Sequence, residues 1–511
     1  MSGERTDGTG IPSIGRLLID RAASDGGRAY LEDARSDRTL TYAQAMEAAS
    51  GFAAGAGLDE PTTVFLREPD PLTFAVAHLG VIAAGHRCVP LDPALAPADV
   101  ARLAELVASG SSRESEPVIV TADAAFAAAA GVRRIDPPEL GATRSAAMPL
   151  AGGGAASRAA ASVFRDGGSA MLFTSGSTGT PKGVELRADQ LAFVGAAVAE
   201  HLGLTSEDRG YNPLPLFHIN AEVVGLLATL VAGSTLVLDQ RFHRTGFWPL
   251  MSDRRITWIN AVPAILAVLA TERIEAPRGL RLIRTASAPL PGPVAEAFTG
   301  IPLVVSYGMT EASSQITATP VDAPRPGTVG VPVGTEVQVR GAAGSPVGQD
   351  EIGELWIRGA GVVDSYFGAA AADRFDADGW LRTGDLGSVD ADGYVTLAGR
   401  VDDVINRGGE KVYPLEVEEA LLEDPAVREV VVVGAPDDVL GAVPVAFVIP
   451  AEVARSDEED RTLVERLTAL AAQRLPRFKR PRTITVVDDV PRAPTGKVQR
   501  VRLRGTLTPD R

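Results

Sequence analysis

Cysteine is nearly absent from this chain, since Cys88 is the single one among 511 residues. One cysteine can form neither an internal disulfide nor a cysteine-based metal cluster. Its neighbours Arg87, Val89 and Pro90 give a largely apolar setting, which predicts a core position on a strand rather than a catalytic role. A disulfide-stabilised scaffold and a cysteine metal centre are therefore excluded.

Long apolar runs and an excess of basic residues are also missing. The most apolar stretch, residues 223–238, contains Gly and Ser and is shorter than the roughly 20 residues that span a bilayer. The N-terminal residues 1–10 are polar and contain no apolar signal region. The formal net charge of -16 and the pI near 4.9 argue against nucleic acid and anionic membranes as partners. We therefore expect a cytoplasmic protein with neither partner.

Strand and helix patterns alternate through the first part of the chain. Residues 63–67 and 86–91 resemble strands, and residues 72–84 between them resemble a helix. This strand–helix–strand order predicts a parallel sheet with helices on its faces. A second alternation of strand and helix patterns begins near residue 118. The Gly/Ala-rich residues 152–161 are expected to form a loop. Two α/β subdomains are therefore predicted.

The predicted secondary-structure pattern changes after Gly330. Short strand patterns alternate with the turn signals Asp378-Gly379 and Asp392-Gly393, which predicts a β-rich subdomain. From Asp403 onward the pattern is again α+β. We therefore expect an α/β protein with an N-terminal domain over residues 1–400 and a small C-terminal α+β domain over residues 401–511.

A segment rich in glycine and hydroxyl groups follows the apolar strand pattern at residues 170–174. Glycine allows the backbone to approach phosphate oxygens, hydroxyls donate hydrogen bonds and lysine adds a positive charge. The segment is not a Walker A loop, because Pro181 rather than Gly precedes Lys182. A flexible linker is the plain alternative, but it seldom places Pro-Lys-Gly at the end of a strand. Phosphate binding is predicted for Thr174, Ser175, Gly176, Ser177, Thr178, Gly179 and Lys182.

Five further motifs follow or accompany this loop along the chain. They are Ala286-Ser287-Ala288-Pro289, Tyr307-Gly308-Met309-Thr310-Glu311, Thr383-Gly384-Asp385, Gly399-Arg400-Val401-Asp402-Asp403 and Pro494-Thr495-Gly496-Lys497. Together with the phosphate loop, they make nearly the whole chain resemble the adenylate-forming superfamily. That superfamily includes acyl-CoA synthetases, non-ribosomal peptide adenylation domains and firefly luciferases, and the similarity is closest to acyl-CoA ligases.

The resemblance implies a role for each matching residue in nucleotide binding. Tyr307, with Gly308 and Met309, would lie along the adenine. The adenine-side loop would be formed by Ala286, Ser287, Ala288 and Pro289. The ribose would be bound by Asp385 and Arg400.

The resemblance also implies the catalytic and moving parts. Thr310 would contact the α-phosphate, Glu311 would hold magnesium, and Lys497 would be the adenylation lysine. Asp402 would be the hinge about which a mobile C-terminal domain turns, and Gly408 and Gly409 would then line a thiol channel. A carboxylate that attacks the α-phosphate builds up negative charge, so cations placed there beforehand favour the reaction.

The acid pocket is predicted around Pro215-Leu216-Phe217-His218, which resembles the motif that lines or gates the carboxylate site. His218 is therefore assigned a catalytic role, in preference to a core histidine. Glu222 is left with two interpretations, a pocket group that binds a polar substituent or a solvated side chain. The remaining pocket residues are predicted to be Asn220, Val223, Val224 and Ser313.

The predicted reaction is ATP-dependent formation of an acyl-adenylate and transfer of the acyl group to CoA. Between Arg474 and Arg504 the chain has ten Lys and Arg against Asp488 and Asp489, and Lys479 and Arg480 are expected to bind CoA phosphates. Alternatives are a carrier-protein thiol, an amine, a nitrogen nucleophile as in diazotase-type relatives, or an inactive adenylate-binding module. A luciferase-like oxidase has no distinctive support. The implied cofactors are ATP, Mg2+ and CoA, and the partners are a small carboxylic acid, with a carrier protein and a homodimer left open.

Overall fold

The computed structural model describes residues 10–110, 115–140, 153–175, 181–369, 374–452, 455–492 and 498–507. The strands of these residues are β1 (Ala29–Asp33), β2 (Thr39–Thr41), β3 (Thr62–Leu66), β4 (Arg87–Pro90), β5 (Ser115–Val120), β6 (Arg133–Ile135), β7 (Ser169–Ser175), β8 (Pro181–Arg187), β9 (Arg209–Asn212), β10 (Thr235–Leu238), β11 (Trp258–Ala261), β12 (Leu282–Thr285), β13 (Leu303–Tyr307), β14 (Thr317–Ala318), β15 (Val331–Pro332), β16 (Glu336–Arg340), β17 (Gly353–Arg358), β18 (Leu381–Val389), β19 (Val395–Arg400), β20 (Ile405–Arg407), β21 (Glu410–Val412), β22 (Val427–Asp437), β23 (Gly441–Pro450) and β24 (Ile484–Val486).

The α-helices of the described residues lie in two stretches of the chain, residues 14–297 and 414–505. They are α1 (Ile14–Asp25), α2 (Tyr42–Gly55), α3 (Pro71–Ala83), α4 (Pro97–Gly110), α5 (Ala124–Ala130), α6 (Gly153–Val163), α7 (Ala188–His201), α8 (Ala228–Ala232), α9 (Phe247–Asp253), α10 (Pro263–Leu269), α11 (Gly292–Ala297), α12 (Pro414–Leu422), α13 (Asp457–Arg474) and α14 (Arg500–Gly505). A π-helical turn at Ala221–Leu227 precedes α8, and short 3-10 turns lie at Thr310–Ala312, Phe367–Ala369 and Val401–Asp403. None of the helices in the described ranges is both apolar enough and long enough to cross a bilayer.

The chain divides into two compact units. The first unit comprises residues 1–289, 298–337 and 357–381, and the second comprises residues 290–297, 338–356 and 382–511. The predicted boundary after Arg400 remains a prediction.

Two sheets form the framework of the first unit, which confirms the predicted α/β fold. One has six strands in the order β6-β5-β3-β4-β7-β8, and the other has nine in the order β15-β14-β13-β12-β11-β9-β10-β1-β2. All pairs from β6 to β7 and from β13 to β1 are parallel. Helix α3 contacts strands of both sheets. Because it is covered on all sides, almost every residue of α3 is apolar and buried.

The N-terminal end of α3 shows why this helix begins where it does. Pro71 occupies the first turn, where a missing N–H costs nothing, and the Asp70 carboxylate caps the backbone N–H of Thr73 at 2.9 Å. Sequence reasoning was wrong for residues 152–161, where a loop was expected and helix α6 is found. Alanine has the highest helix propensity, and α6 packs on α1 and α2, so the Gly/Ala composition favours a helix here.

The second unit contains the greater part of the sheet β16-β17-β18-β19 and a five-stranded sheet, β21-β20-β23-β22 with β24 added beside β23. Helices α12 and α13 cover the five-stranded sheet through a core that includes Leu421, Val432 and Leu467. Helix α13 begins with a capping box in which Ser456 and Glu459 satisfy each other's backbone N–H groups. The predicted turns at Gly379 and Gly393 are confirmed, because both glycines have left-handed φ.

Candidate active site

The stems of the predicted phosphate loop form a β-hairpin. Strands β7 and β8 are antiparallel, and Thr174 lies opposite Lys182, whose carbonyl accepts a long hydrogen bond of 3.5 Å from the Thr174 hydroxyl. The predicted phosphate ligands Gly176, Ser177, Thr178 and Gly179 lie outside the described residues. The hairpin nonetheless places the predicted lysine directly across from the end of the strand that leads into the loop.

Lys182 lies near the carboxylate that was predicted to hold magnesium. Its Nζ is 6.0 Å from the ring centroid of Tyr366, and the Tyr366 hydroxyl donates to Oε1 of Glu311 at 2.7 Å. Arg374 donates to the same oxygen at 3.1 Å. The structure thus gathers Lys182 and Glu311 into one cluster. Sequence reasoning missed Tyr366 and Arg374, because their side chains meet Glu311 across more than 50 residues of chain.

The donor set around Glu311 fits a magnesium ion that is held mainly by phosphate. Mg2+ in nucleotide sites is commonly bound by one or two carboxylates together with phosphate oxygens and water. The described residues contain no group of three or more potential metal ligands. Glu311 is therefore suited to share a metal with the nucleotide, and Tyr366 and Arg374 hold its carboxylate in position.

The segment that carries Glu311 is folded tightly after β13. A Cβ on Gly308 would lie 1.7 Å from the carbonyl oxygen of Ser314, so only glycine fits there. Ser313 is fully buried with left-handed φ of 50°, and its hydroxyl donates to the carbonyl of Gly361 at 2.8 Å. Ser313 was predicted to line the acid pocket, but the structure gives its hydroxyl a backbone partner. The tight segment fixes Met309, Thr310 and Glu311 at the end of the strand.

The predicted adenine loop follows the neighbouring strand. Ala286 is buried immediately after β12, and Ser287 has left-handed φ of 80°, while Ala288 and Pro289 are exposed. Because β12 and β13 are parallel neighbours, Ala286 and Tyr307 both lie at the carboxyl edge of the nine-stranded sheet. Ligands of open α/β sheets bind at this edge.

His218, predicted for the acid site, is partly buried in front of the π-helical turn. Burial lowers the pKa of His218, although the charge of Asp92 acts in the opposite direction. The imidazole is therefore neutral near pH 7. A neutral ring can donate one hydrogen bond to a carboxylate oxygen while its other nitrogen accepts.

Asn220, predicted for the same pocket, belongs to a buried polar network that sequence reasoning did not find. Its Oδ1 accepts hydrogen bonds from Nη1 of Arg284 at 3.0 Å and from Nδ2 of Asn260 at 3.2 Å. Arg284 also donates to Oδ1 of Asn260 at 3.1 Å and to Oε1 of Gln315 at 2.8 Å. The signal available in the sequence was one arginine inside the apolar strand Leu282–Thr285.

Neither interpretation of Glu222 was correct. Its carboxylate is fully buried, and Oε1 lies 2.8 Å from Nε2 of His78. Nδ1 of the same imidazole lies 3.3 Å from Sγ of Cys88, which confirms the core position predicted for the cysteine. Val223 and Val224 are likewise buried in the core, within the π-helical turn. Glu222 is thus an internal ion-pair partner rather than a solvated or pocket group.

In the second unit the two residues predicted to bind ribose lie together. Asp385 on β18 pairs in register with Arg400 on β19, and Nη1 of Arg400 is 2.9 Å from Oδ1 of Asp385. Gly384 beside them has left-handed φ of 75°, which favours glycine. The hairpin therefore brings both predicted ribose ligands to one place.

The predicted hinge and thiol channel also lie in the second unit. Arg504 donates to the carbonyl of Asp402 at 3.3 Å and to the carboxylate of Asp403 at 2.7 Å. Gly408 and Gly409 form the two-residue turn between β20 and β21, both with left-handed φ. Such a turn requires glycine for its own geometry, so these glycines have a structural reason beside their predicted role. Lys497 lies outside the described residues.

The basic stretch near the C-terminus is largely neutralised by carboxylates elsewhere in the chain. Lys479 lies 2.6 Å from Glu416, and Arg480 caps helix α13 through carbonyls of Ala472 and Leu475. Arg474, Arg492, Arg500 and Arg504 also have carboxylate partners. The argument from ten cations against two carboxylates was therefore wrong, because it counted only near neighbours in the sequence.

A cleft of about 700 Å³ lies at the other edge of the nine-stranded sheet. Arg209 and Thr235 on its wall are the first residues of β9 and β10, so the cleft opens at the amino ends of these strands. The predicted adenine and acid residues all lie at the carboxyl ends. This cleft is consequently separate from the candidate site.

Both the fold and these clusters define a nucleotide-binding α/β enzyme, and the comparisons with known proteins specify its kind. Residues 18–367 match the model of the AMP-binding enzyme family, and residues 416–497 match that of the AMP-binding enzyme C-terminal domain. The chain belongs to this family.

Relatives cover almost the whole chain. A sulfoacetate–CoA ligase of Cupriavidus necator is 35% identical and covers 98% of this chain and 99% of its own length. An oxalate–CoA ligase of Arabidopsis thaliana is 32% identical over 96% of each. The solved structure of O-succinylbenzoate coenzyme A synthetase from Bacillus subtilis with ATP and magnesium is 30% identical, has a TM-score of 0.77 and covers 96% of this chain and 98% of that chain.

These relatives confirm the predicted activity. The chain is an AMP-forming acid–CoA ligase that activates a carboxylic acid as an acyl-adenylate and transfers the acyl group to CoA. Its cofactors are ATP, Mg2+ and CoA, as predicted.

Proposed function

We propose that this acid–CoA ligase activates a small carboxylic acid at the carboxyl edge of the nine-stranded sheet, with a polar group on the acid facing Asn220. Mg-ATP is held by Lys182 and the Glu311 cluster. The observation that carries these roles is the proximity of the lysine and the carboxylate through Tyr366. One positive and one negative group, both close to a single tyrosine, suit a phosphate chain and its metal.

The charges account for the first half-reaction. A substrate carboxylate oxygen attacks the α-phosphorus of ATP, and pyrophosphate leaves with the bonding electrons. Negative charge grows on the phosphates, so Lys182 and Lys497 act as fixed counter-charges and Thr310 donates a hydrogen bond. A magnesium ion beside Glu311 would supply further neutralisation of the leaving pyrophosphate.

His218 fits the role of orienting the acid. Because burial lowers the pKa of its imidazole, the ring stays neutral near pH 7. It can then donate a hydrogen bond to one carboxylate oxygen without forming an ion pair that would reduce the nucleophilicity of the other. Adenine and ribose are assigned to the 286–289 loop, Tyr307, Asp385 and Arg400.

The second half-reaction requires a different arrangement of the C-terminal part of the chain. We assign the pivot to Asp402, and the passage of the CoA thiol to the turn at Gly408 and Gly409. The thiol sulfur attacks the acyl carbon of the adenylate, AMP leaves, and the thioester forms. A cytoplasmic location, where ATP and CoA are both abundant, suits this reaction. A homodimer and a carrier-protein acceptor remain predictions, and size-exclusion chromatography tests the first of them.

The acids in the names of the relatives have a chemical feature in common. Sulfoacetate, oxalate and O-succinylbenzoate each contain a second acidic group beside the carboxylate. The buried amides and the guanidinium next to Asn220 would give the proposed acid pocket a polar wall as well. We therefore assign a polar acid, rather than a purely hydrocarbon one, to this enzyme.

The experiment measures pyrophosphate release with a panel of small acids, with and without CoA, and follows acyl-CoA by chromatography. Glu311→Gln should lower the rate of pyrophosphate release by at least about 100-fold if the carboxylate holds the metal. Lys497→Ala should abolish adenylation but leave thiolysis of synthetic acyl-adenylate intact.

A control variant is Glu336→Gln, an exposed carboxylate paired with Arg358 in the same unit. It should leave both half-reactions unchanged. Full pyrophosphate release by Glu311→Gln or by Lys497→Ala would refute the assigned roles.

A further inference from the structure

The guanidinium of Arg284 is a buried cation without a counter-charge. The residue is 1% exposed, and its partners are three amide oxygens, of Asn220, Asn260 and Gln315. No carboxylate in the described part of the chain pairs with it. A buried charge is normally paired, because removing an ion from water costs several kcal/mol.

Strand register explains why the amides meet this arginine. Asn260 on β11 is the direct neighbour of Arg284 on β12, so both side chains project from the same face of the sheet. Asn212, at the end of β9, extends the row by accepting from Nδ2 of Asn260 at 2.9 Å. All these residues lie at or near the carboxyl ends of parallel strands, where ligands bind.

The network orients the amides of Asn220, Asn260 and Gln315 so that their oxygens face the positive charge. The NH2 groups of Asn212 and Gln315 donate to the carbonyls of Leu214 and Thr317 at 2.8 and 2.7 Å. Nδ2 of Asn220, in contrast, is buried without a hydrogen-bond partner. A guanidinium also has more N–H groups than these contacts use. What remains unsatisfied beside the buried guanidinium is therefore a donor, the NH2 group of Asn220, and a donor needs an acceptor.

Burial has the expected effect on this group. Desolvation lowers the pKa of Arg284 to about 9, and no nearby charge opposes it. The arginine is still positively charged at pH 7. An anion placed against it would regain the interaction that the protein itself does not provide.

We propose that Arg284 and the NH2 group of Asn220 bind a second anionic group of the acid substrate, so that the enzyme acts on small diacids. The anion is a carboxylate or a sulfonate, separated by a short spacer from the carboxylate that is activated. Arg284 lies two residues before Ala286 of the adenine loop, and Asn220 lies two residues after His218. The site thus adjoins both the assigned nucleotide and the assigned carboxylate position. This inference rests on the proposed acid pocket.

A nucleotide phosphate is the other possible source of anionic oxygens. The phosphate-loop stems belong to the six-stranded sheet, however, whereas Arg284 and all its partners belong to or flank the nine-stranded one. No contact of Arg284 involves Thr174 or Lys182. The geometry therefore favours the acid over ATP.

The test compares matched acids that differ only in the second charge. Malonate and malonamic acid, succinate and succinamic acid, and sulfoacetate and (methylsulfonyl)acetic acid form such pairs. For wild type, kcat/KM should be about 10- to 100-fold higher for the charged member of the best pair, as expected for a charge-assisted hydrogen bond. Arg284→Met should lose that preference, while the KM for ATP changes less than about twofold.

Two further variants keep the result interpretable. Arg281→Gln removes a cation three residues earlier, which pairs with Asp208, and should leave the preference unchanged. Arg284→Lys keeps the charge and should retain part of the preference, even if Arg284→Met folds poorly. Stabilisation of the protein by the preferred diacid, measured by thermal shift without ATP, should disappear in Arg284→Met.

The outcomes separate this inference from the proposed function. Pyrophosphate release with uncharged-tail acids, together with poor use of every diacid, would overturn the role of Arg284 but leave the acid–CoA ligase assignment intact. A raised KM for ATP with unchanged acid preference would assign Arg284 to the nucleotide and also overturn the inference. Release with no acid at all would instead contradict the proposed function.

Discussion

Two cationic side chains, His78 and Arg284, lie fully buried among the described residues of the first unit, and only His78 has a counter-charge. His78 faces Glu222 at 2.8 Å between α3 and the π-helical turn. Arg284 faces only amide oxygens at the carboxyl edge of the nine-stranded sheet. Burial is nearly the same at both positions, so exposure does not distinguish them. Their difference is whether the protein supplies the opposite charge itself.

That difference separates a structural group from a binding group. Burial by itself lowers the pKa of His78, but the carboxylate of Glu222 and the thiol of Cys88 raise it, to about 10 overall. The positive charge of the imidazolium is thus compensated by Glu222 within the fold, without a ligand. Arg284 has no such partner among the described residues, and the buried NH2 group of Asn220 beside it has no hydrogen-bond acceptor. A buried charge that the fold leaves unpaired indicates where an ionic substrate belongs.

The largest expected effect comes from breaking the complete pair. His78→Leu leaves the Glu222 carboxylate buried alone, which typically costs about 3–5 kcal/mol of the free energy of unfolding. Urea unfolding measures the loss. The double variant His78→Leu/Glu222→Met should recover most of it, because an apolar pair of similar volume replaces both charges. If His78→Leu is as stable as wild type, the ion pair contributes nothing and the comparison fails.

The next effect comes from giving Arg284 the counter-charge it lacks. Asn220→Asp places a carboxylate at the position where Oδ1 lies 3.0 Å from Nη1 of Arg284. We expect about 1–2 kcal/mol of added stability from the new charge-assisted bond. The same variant should lose about 10- to 100-fold in kcat/KM for the preferred diacid, since the site is filled by the protein.

Asn212→Asp is the matched control for this substitution. Its carboxylate would also be buried in the row, but Oδ1 of Asn212 contacts Asn260 rather than the arginine. It should therefore destabilise the protein. Equal stability changes in the two aspartate variants would show that Arg284 does not act as the counter-charge.

A smaller and gradual effect is expected from pH. The pKa of His78 is about 10 in the folded chain, above the ordinary value of 6.5. Its stabilisation is therefore complete below about pH 6.5 and is lost as the pH rises toward 10. Linkage gives a loss of roughly 1 kcal/mol per pH unit in this window. Urea unfolding at pH 7, 8 and 9 should show this slope in wild type but a shallower one in the double variant; parallel slopes would contradict it.

The smallest effect extends the comparison to the surface of the second unit. Lys479 is paired with Glu416, whereas Arg477 is exposed and has no ion-pair partner among the described residues. Arg407, next to the Gly408 turn, donates to the carbonyls of Arg477 and Phe478. Arg477→Ala should raise the KM for CoA about two- to fivefold at low salt and less at high salt. Lys479→Ala should change it less, and the reverse order would favour the original expectation for Lys479.

Motifs with fixed local spacing could be predicted from the sequence. The structure contains several features that depend on neighbouring residues. These are Thr174 and Lys182, the turn at Gly308, the Asp385–Arg400 hairpin and the alternation of β3, α3 and β4. Helix α6 was missed because its Gly/Ala composition is compatible with a loop, and only packing on α1 and α2 decides in favour of a helix. Local patterns therefore identified the framework.

Pairings between distant residues could not be predicted. Only the tertiary fold brings Glu222 into contact with His78, and Glu311 into contact with Tyr366 and Arg374. The same is true of the carboxylates that neutralise the C-terminal cations. Arg284 is an intermediate case. The sequence shows a lone arginine in an apolar strand, but the role of this arginine depends on the side chains that the fold places around it.

The π-helical turn at Ala221–Leu227 has a consequence for how the specificity of this enzyme can change. The backbone N–H of Ala228 donates to the carbonyl of Val223, one residue further back than in an α-helix. Deleting one residue here would restore regular winding and rotate the preceding side chains by about 100° relative to α8. The side chain of Asn220 would then no longer contact Arg284, while α8 and the nine-stranded sheet would keep their positions. A single lost codon could thus redirect the enzyme toward another acid, a route that stepwise substitution does not offer.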